Sequence, residues 1–422
     1  MAIIDDPALI RHTDREGLSA ALADSRARTL RTFAAYEACL RATGLQIPYS
    51  PQVNPPLWEL GHVGWFQEYW IGRNPQRQLG IAADPQTPRS ASALADADAL
   101  YDSSRIEHTL RWRLPLPDAR ATRDYLARSL EQTLRLLAQA DTEGPGLRYF
   151  VWLTLIHEDM HHEAAVYMAN ALAIPLELDP PTAMEAVERG PPGELAFDAT
   201  RFRAGSTSEG FAFDNELEPH WIELLPFRID RAPVDNRAFA AFIEAGGYDQ
   251  PRHWTADGWA WRQHSDARWP RFWRRAASGW QHCRFGRWEA LGEAAPVTHV
   301  TLHEAQAWCA WAGRRLPSEY EWEMAAVTAP SSPGAGATGP IRFGQVWEWT
   351  DSSFQPYPGF VPHPYRDYSL PWFGTRQVLR GGSFAARARI RHPRYRNFFT
   401  ADRNDIFAGF RSCAPRAAGS TP

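Results

Sequence analysis

Residues 157–163, HEDMHHE, place three histidines and three carboxylates in seven positions. On a helix, His157 and His161 stand one turn apart on one face, where two imidazoles can converge on one metal ion. His162 projects about 100° away and is a poorer partner for His157. The first five letters also spell H-E-x-x-H, the pattern of zinc hydrolases, with Glu158 as general base beside a metal-bound water. That chemistry asks for a third ligand downstream, and Glu177 is the nearby candidate. Another possible third ligand lies upstream: His62, in the aromatic-rich stretch WELGHVGWFQEYW. Helical bundles assemble metal sites from facing helices. Three neutral imidazoles leave coordination positions open for substrate and oxygen, as a redox iron centre requires. Glu163 could add a carboxylate ligand, or accept the outer N–H of a ligand. A polar helix face without chemistry is the third reading of the same letters.

Helices must carry these residues. Residues 15–43 repeat apolar positions at helical spacing and end at Gly44, a C-cap residue. A second helix is expected from about Pro56 to Arg73, with proline at its start. A third covers about 119–140, with Asp118 as N-cap and Gly144 beyond its end. The fourth, from about Leu147 to Leu172, contains HEDMHHE. Together they predict a four-helix bundle over residues 1–174. Residues 175–194 hold five prolines and read as an interdomain linker. From 195 to 415, short β-like runs such as WIELLPFRI and VLRGGSF alternate with turn residues and a few helices, 235–245 and 301–312 among them. That grammar predicts an α+β domain, followed by a tail over 416–422. TAPSSPGAGATGP at 328–340 reads as a low-complexity surface loop.

A chain of 422 residues exceeds what one hydrophobic core organises. Its net charge of −4 provides no global attraction to nucleic acid or to an anionic membrane, so neither is expected as a partner. No uncharged apolar run approaches the ~18–20 residues of a membrane-spanning helix. The opening MAIIDDPALIRHTDREG lacks the apolar core of a signal peptide. Four scattered cysteines suggest neither a disulfide framework nor a cysteine-rich zinc site, and Cys309 and Cys413 read as buried small hydrophobes. A cytoplasmic setting is expected. Most of the 19 tryptophans follow residue 250, which predicts a loop-rich domain filled by large rings. The cluster RWPRFWRRAASGWQHCRFGRW (268–288) reads as an aromatic–guanidinium surface rather than a single-strand platform.

Longer stretches carry a resemblance. GRRLPSEYEWEMAA (313–326), GQVWEWTDSSFQPYPGF (344–360), VLRGGSFA (378–385) and RNFFTADRNDIFAGFR (396–411) resemble, in order and spacing, the signatures of the formylglycine-generating-enzyme-like fold. GHVGWFQEYW and HEDMHHE resemble the metal motifs of a DinB-like bundle. Together the two halves are similar to the ergothioneine-biosynthesis sulfoxide synthases of the EgtB type. The resemblance implies a DinB-like four-helix bundle followed by a C-type-lectin-like, formylglycine-generating-enzyme-like domain. It also implies that His62, His157 and His161 hold Fe(II). With O2 as co-substrate, such enzymes join a sulfur donor, cysteine or γ-glutamylcysteine, to the imidazole C2 of hercynine, the trimethylated betaine of histidine.

The sequence departs from that family at informative places. Members commonly carry Gln where this chain has Met160. Those using γ-glutamylcysteine often show R-N-W-D, where this chain has Arg396-Asn397-Phe398-Phe399. Asn397 is kept, and Phe398 keeps an aromatic face for a trimethylammonium group. Phe399 removes a carboxylate that helps bind the donor; a zwitterionic donor needs fixed counter-charges, whereas a neutral sugar does not. These departures resemble the selenoneine synthase (SenA-type) branch, which implies a selenosugar as donor and C–Se bond formation. The resemblance to the sulfoxide synthases makes Tyr357 and Tyr365 candidate proton donors, while Asp402 and Arg403, in the same C-terminal loop as Asn397, are candidates for the cleft lining. A zinc hydrolase and a non-catalytic binding module are the readings from other classes.

Overall fold

The computed structural model describes residues 3–139, 145–178, 193–328 and 341–416. Most of the expected linker, nearly all of the 328–340 loop, Gly144 and the tail beyond Arg416 lie outside the described residues. The first helix, α1 (Arg15–Leu40), starts where the Asp14 carboxylate accepts from Gly17 N at 2.9 Å. It winds down through a 3-10 turn to Gly44, whose φ of +61° is the left-handed cap expected there. Helix α2 (Pro56–Gln67) has proline in its first turn and ends in a π-helical turn, Glu68–Gly72. A short helix α3 (Ala97–Tyr101) follows, which the apolar spacing did not signal. Helices α4 (Ala119–Gln139) and α5 (Pro145–Ala171) complete the bundle, with Asp118 capping α4 through Ala121 N. In the core α1 packs on α5, and α2 on both α4 and α5. Leu18, Phe33, Trp58, Phe66, Leu126 and Phe150 fill it.

Close approach explains one glycine in ELGHVG. A Cβ on Gly61 would stand 2.2 Å from the Tyr101 ring, so α3 can press against α2 only because that position has no side chain. The contact matters because Tyr101 lends its carbonyl to the site described below.

The second half is an α+β assembly of short ladders. Strands β1 (Glu194–Phe197) and β4 (Phe227–Asp230) pair with each other, as do β2 (Thr200–Ala204) and β3 (His220–Leu224). The run WIELLPFRI is therefore two strands serving two ladders, parted at Leu225-Pro226, where proline has no N–H to donate. Helices α6 (Asn236–Glu244) and α7 (Ala256–Ser265) precede a meander of β5 (Trp273–Ala276), β6 (Gly279–Arg284) and β7 (Arg287–Ala290). The meander carries the Arg/Trp cluster, with Arg274 over Trp288 and Arg275 over Trp280. Helices α8 (Leu302–Trp311) and α9 (Glu319–Val327) each begin with a capping box. The last sheet has the order β10-β9-β8-β11, from β8 (Trp347–Ser353), β9 (Gln377–Arg380), β10 (Asn397–Phe399) and β11 (Ala408–Gly409). No helix among the described residues is long and apolar enough to cross a membrane. Cys309 and Cys413 are buried, and burial raises both thiols.

Buried ion pairs join the halves. Arg389, after the last large strand, reaches Asp159 on α5 with Nε and Nη2 at 2.5 and 2.9 Å, and both side chains are essentially inaccessible. Arg11 pairs with Glu216 at 2.8 Å, and Arg387 with Asp24 at 2.6 Å. Removing one member of a buried pair strands the other charge. Asp159→Ala leaves Arg389 with Asp24 at 3.4 Å as its remaining carboxylate. It is expected to lower unfolding free energy by about 3–5 kcal/mol in a denaturant titration.

Candidate metal centre

The seven side chains of HEDMHHE divide among several surroundings. His157 and His161 face α2, where His62 projects toward them; one ligand atom from each lies within 4.8 Å of the others. Ring centroids are 4.4 Å apart for His157–His161, 4.9 Å for His62–His161 and 5.2 Å for His62–His157. Trp58 stacks on His62 and Phe66 on His157, fixing both ring planes. His62 Nδ1 lies 2.8 Å from the Tyr101 carbonyl, which can only accept, so the proton sits on Nδ1 and Nε2 keeps its lone pair. His161 Nδ1 donates to Glu59 Oε2 at 2.6 Å, and Glu59 Oε1 accepts from Asn54 Nδ2 at 2.7 Å. The Nδ1 of His157 is buried with no partner among the described residues.

Electrostatics suit a cation. Burial first, then the neighbouring His161, pushes His62 down to about 3. His157 lies well below the ordinary range, because of burial and then the other two rings. Both therefore stay neutral and keep a donor lone pair at neutral pH. Burial alone would raise the Glu59 carboxyl, but the charge and hydrogen bond of His161, with Asn54, outweigh it and hold the group down to about 2. Two neutral imidazoles, with a third backed by an anionic acceptor, fit a divalent metal that keeps open positions.

The remaining letters point elsewhere. Glu158 pairs with buried Arg26 at 2.8 and 3.1 Å inside the bundle. A hydrolytic base must face the reacting water; Glu158 is held by a guanidinium instead, and Glu177 is exposed. The zinc-hydrolase assignment of these two residues does not fit the structure. His162 Nε2 meets Thr32 Oγ1 at 3.0 Å. Glu163 accepts from Trp347 Nε1 at 2.8 Å and from Ser383 Oγ, so the acceptor behind a histidine is Glu59 rather than Glu163. Burial raises the Glu163 carboxyl.

Beside the histidines lies a cavity of about 570 Å³ between the bundle and the second domain. His161 lines it together with Met160, Glu163, Tyr365, Tyr368, Tyr395 and the β10 residues Asn397, Phe398 and Phe399. Tyr395 Oη donates to Met160 Sδ at 3.1 Å and stands 3.0 Å from Tyr368 Oη. Tyr365 lies edge-on to Phe66 at 4.9 Å, with its ring centroid 6.2 Å from that of His157. Burial raises its phenol, which is therefore an O–H donor at neutral pH. Phe398 N donates to Asn397 Oδ1 at 2.9 Å. Farther out the lining includes Ser103, Ser104, Asp367 and Trp372, with Arg111 tied to Asn54 and stacked on Trp58.

Three expected site residues are placed differently. Tyr357 does not line the cavity: its hydroxyl donates to Glu319 and accepts from Arg380 within a buried network that also includes Arg396. Asp402 is exposed, and Arg403 pairs instead with Asp405 at 2.6 and 2.8 Å. Arg403 still flanks the cavity by stacking over Phe399 at 4.8 Å. Glu59, Tyr368, Tyr395 and Trp347 were not anticipated. For Glu59 a signal existed, since Glu59-x-x-His62 sets both side chains on one helical face.

Comparison with known proteins agrees with this two-part architecture. The DinB superfamily model matches residues 21–170, and that of the sulfatase-modifying factor enzyme 1-like domain matches 183–335 and 342–416. The hercynine oxygenase of Mycolicibacterium smegmatis is 33% identical, covering 94% of this chain and 98% of its own. That of Mycobacterium tuberculosis is also 33% identical, over 94% and 99%. Among solved structures, PvdO from Pseudomonas aeruginosa aligns with 52% of this chain and 93% of its own at 18% identity and a TM-score of 0.36, a likeness from which nothing further is drawn. With both domains in the same order and relatives matched along nearly their whole length, the chain belongs to the EgtB-like superfamily that includes the hercynine oxygenases.

Proposed function

We propose that this chain is an iron(II)- and dioxygen-dependent enzyme joining the imidazole C2 of hercynine to a selenosugar, with formation of a C–Se bond. The observation that carries the iron part is the three-histidine cluster on the wall of a large aromatic cavity. Relatives named hercynine oxygenase support hercynine as the substrate. His62, His157 and His161 would hold the metal, which when bound supplies the redox partner for dioxygen. Replacing C2–H by C2–Se is an oxidation, so an oxidant of this kind is required.

The chain's own residues bind and orient. Phe398 and the tyrosines of the cavity wall present aromatic faces to a trimethylammonium group. Met160, adjacent to His161 and oriented by Tyr395, would pack against the substrate imidazole. Asn397, its Oδ1 already engaged, would offer its amide hydrogens. Tyr365 is the proton donor in this reading; Arg403 supports Phe399 from behind. Holding both reactants beside the metal converts a multi-body encounter into a first-order step. Phe399, where a donor-binding carboxylate would otherwise stand, favours a neutral donor over a zwitterion, and Ser103 and Ser104 offer it hydroxyls alongside the charged Arg111 and Asp367. C–S bond formation with cysteine or γ-glutamylcysteine is the alternative for the same site.

A competition assay separates the donors. Given hercynine, dioxygen, a selenosugar, a thiosugar, cysteine and γ-glutamylcysteine, the enzyme is expected to yield the selenosugar adduct by mass; turnover of γ-glutamylcysteine alone would overturn the selenium assignment. His157→Ala is expected to lose both iron, by metal analysis, and product formation. Glu59→Gln keeps the ring contact but removes the anion. Iron affinity should then fall about 10–100-fold, read by competition with a chelator, while the fold is retained.

A further inference from the structure

Tyr365 and Tyr368 reach the cavity from an irregular segment. It contains two 3-10 turns, Arg366–Tyr368 and Leu370–Trp372, and its own main-chain bonds are local: Tyr368 N to Tyr365 O, and Trp372 N to Ser369 O. Such turns do not by themselves fix the height of a ring above a site. The segment is instead held from beneath by Phe213, Asp214 and Asn215. Asp214 Oδ2 accepts from His363 N at 3.2 Å, before the tyrosines, and Oδ1 accepts from Ser369 Oγ at 2.5 Å, after them. Asn215 Nδ2 donates to the same Ser369 hydroxyl at 3.1 Å. Phe213 stacks on Tyr368 with centroids 4.1 Å apart. His363 Nδ1 in turn meets Tyr149 Oη on α5, at 3.2 Å.

We propose that Asp214 is the positioning residue of this tyrosine loop, its two oxygens gripping His363 and Ser369 so that Tyr365 and Tyr368 keep their places over His157 and Met160. Two donors six residues apart need two acceptor atoms, which a carboxylate has and an amide or hydroxyl side chain in one orientation does not. Asp214 is buried and has no guanidinium partner among the described residues. An unpaired buried carboxylate is costly unless its hydrogen bonds are made. Burial raises the group to about 6, against the opposing pull of Ser369, His363 N and Asn215 N. The ionisable groups near it are Glu216, His363, Tyr149 and Tyr368. Glu216 is engaged by Arg11. The mechanical part stands on these hydrogen bonds alone; its catalytic meaning rests on the proposed hercynine reaction.

The test uses the full-length, iron-loaded protein and two variants. Asp214→Asn leaves one acceptor atom where there were two, and Ser369→Ala releases one end of the loop while keeping the carboxylate. Hydrogen exchange of amides 363–370 is expected to speed up about tenfold or more in Asp214→Asn, and less in Ser369→Ala. Misplacing a reacting group by about 1 Å costs on the order of 100-fold in rate. Accordingly, kcat per bound iron should fall about 10–100-fold in Asp214→Asn, while iron content is unchanged and the donor KM moves less than about threefold. Unchanged exchange in both variants overturns the clamp. Faster exchange with unchanged kcat overturns its catalytic role. If the wild-type protein turns over no hercynine, the proposed function falls, and the exchange data still decide the clamp.

Discussion

The site depends on a buried ion pair that is not part of the histidine cluster. Asp159 stands between the histidine-bearing turn of α5 and Arg389 of the second domain, with Ser25 Oγ adding a hydrogen bond at 2.8 Å. On the neighbouring position Glu158 is held by Arg26 in the bundle. One carboxylate therefore ties α5 inward and the next ties it outward. Between these anchors the turn cannot rotate without separating charges in a medium where separation is expensive. His157 and His161 take their direction from that restraint, and Met160 and Glu163 are delivered to the cavity by the same rotation of the helix.

The cavity is consequently a product of both domains. The bundle contributes His161, Met160 and Glu163, while the second domain contributes Tyr365, Tyr368, Tyr395 and β10. Neither half supplies the whole lining alone. Trp347 Nε1 and Ser383 Oγ reach across to Glu163, so the wall is bonded as well as packed. Farther from the cavity, Arg380, Arg396, Glu319 and Glu323 form a buried network in which Tyr357 takes part. That network underlies β9 and β10, so its role is to support the wall rather than to meet substrate.

Helices and the three-histidine cluster were legible because their signals are local. Apolar spacing, Asp118, Pro56 and Gly44 mark helix ends through interactions within a turn or two. The i, i+4 pair needed only a third imidazole on a facing helix. What was not legible depends on contacts distant in sequence. Tyr101 acts through its carbonyl, which every residue possesses, and Glu59 acts on His161 over a hundred residues away. Tyr357 and Tyr365 lie in one stretch with similar neighbours in sequence. Tertiary packing alone separates the one buried in the ion network from the one at the cavity. Arg403 likewise found Asp405 rather than Asp402, because Asp405 points inward and Asp402 does not.

The two acceptors behind the histidines differ in how they can vary. His62 is steered by a main-chain carbonyl, so replacing the side chain at 101 leaves the acceptor atom in place provided the backbone does not shift. His161 is steered by a side-chain carboxylate, which one codon change can neutralise or lengthen. Heritable variation thus reaches the charge behind His161 directly at residue 59. Selection on the polarity behind these rings would accumulate its changes around Glu59 and Asn54, leaving the α3 contact untouched.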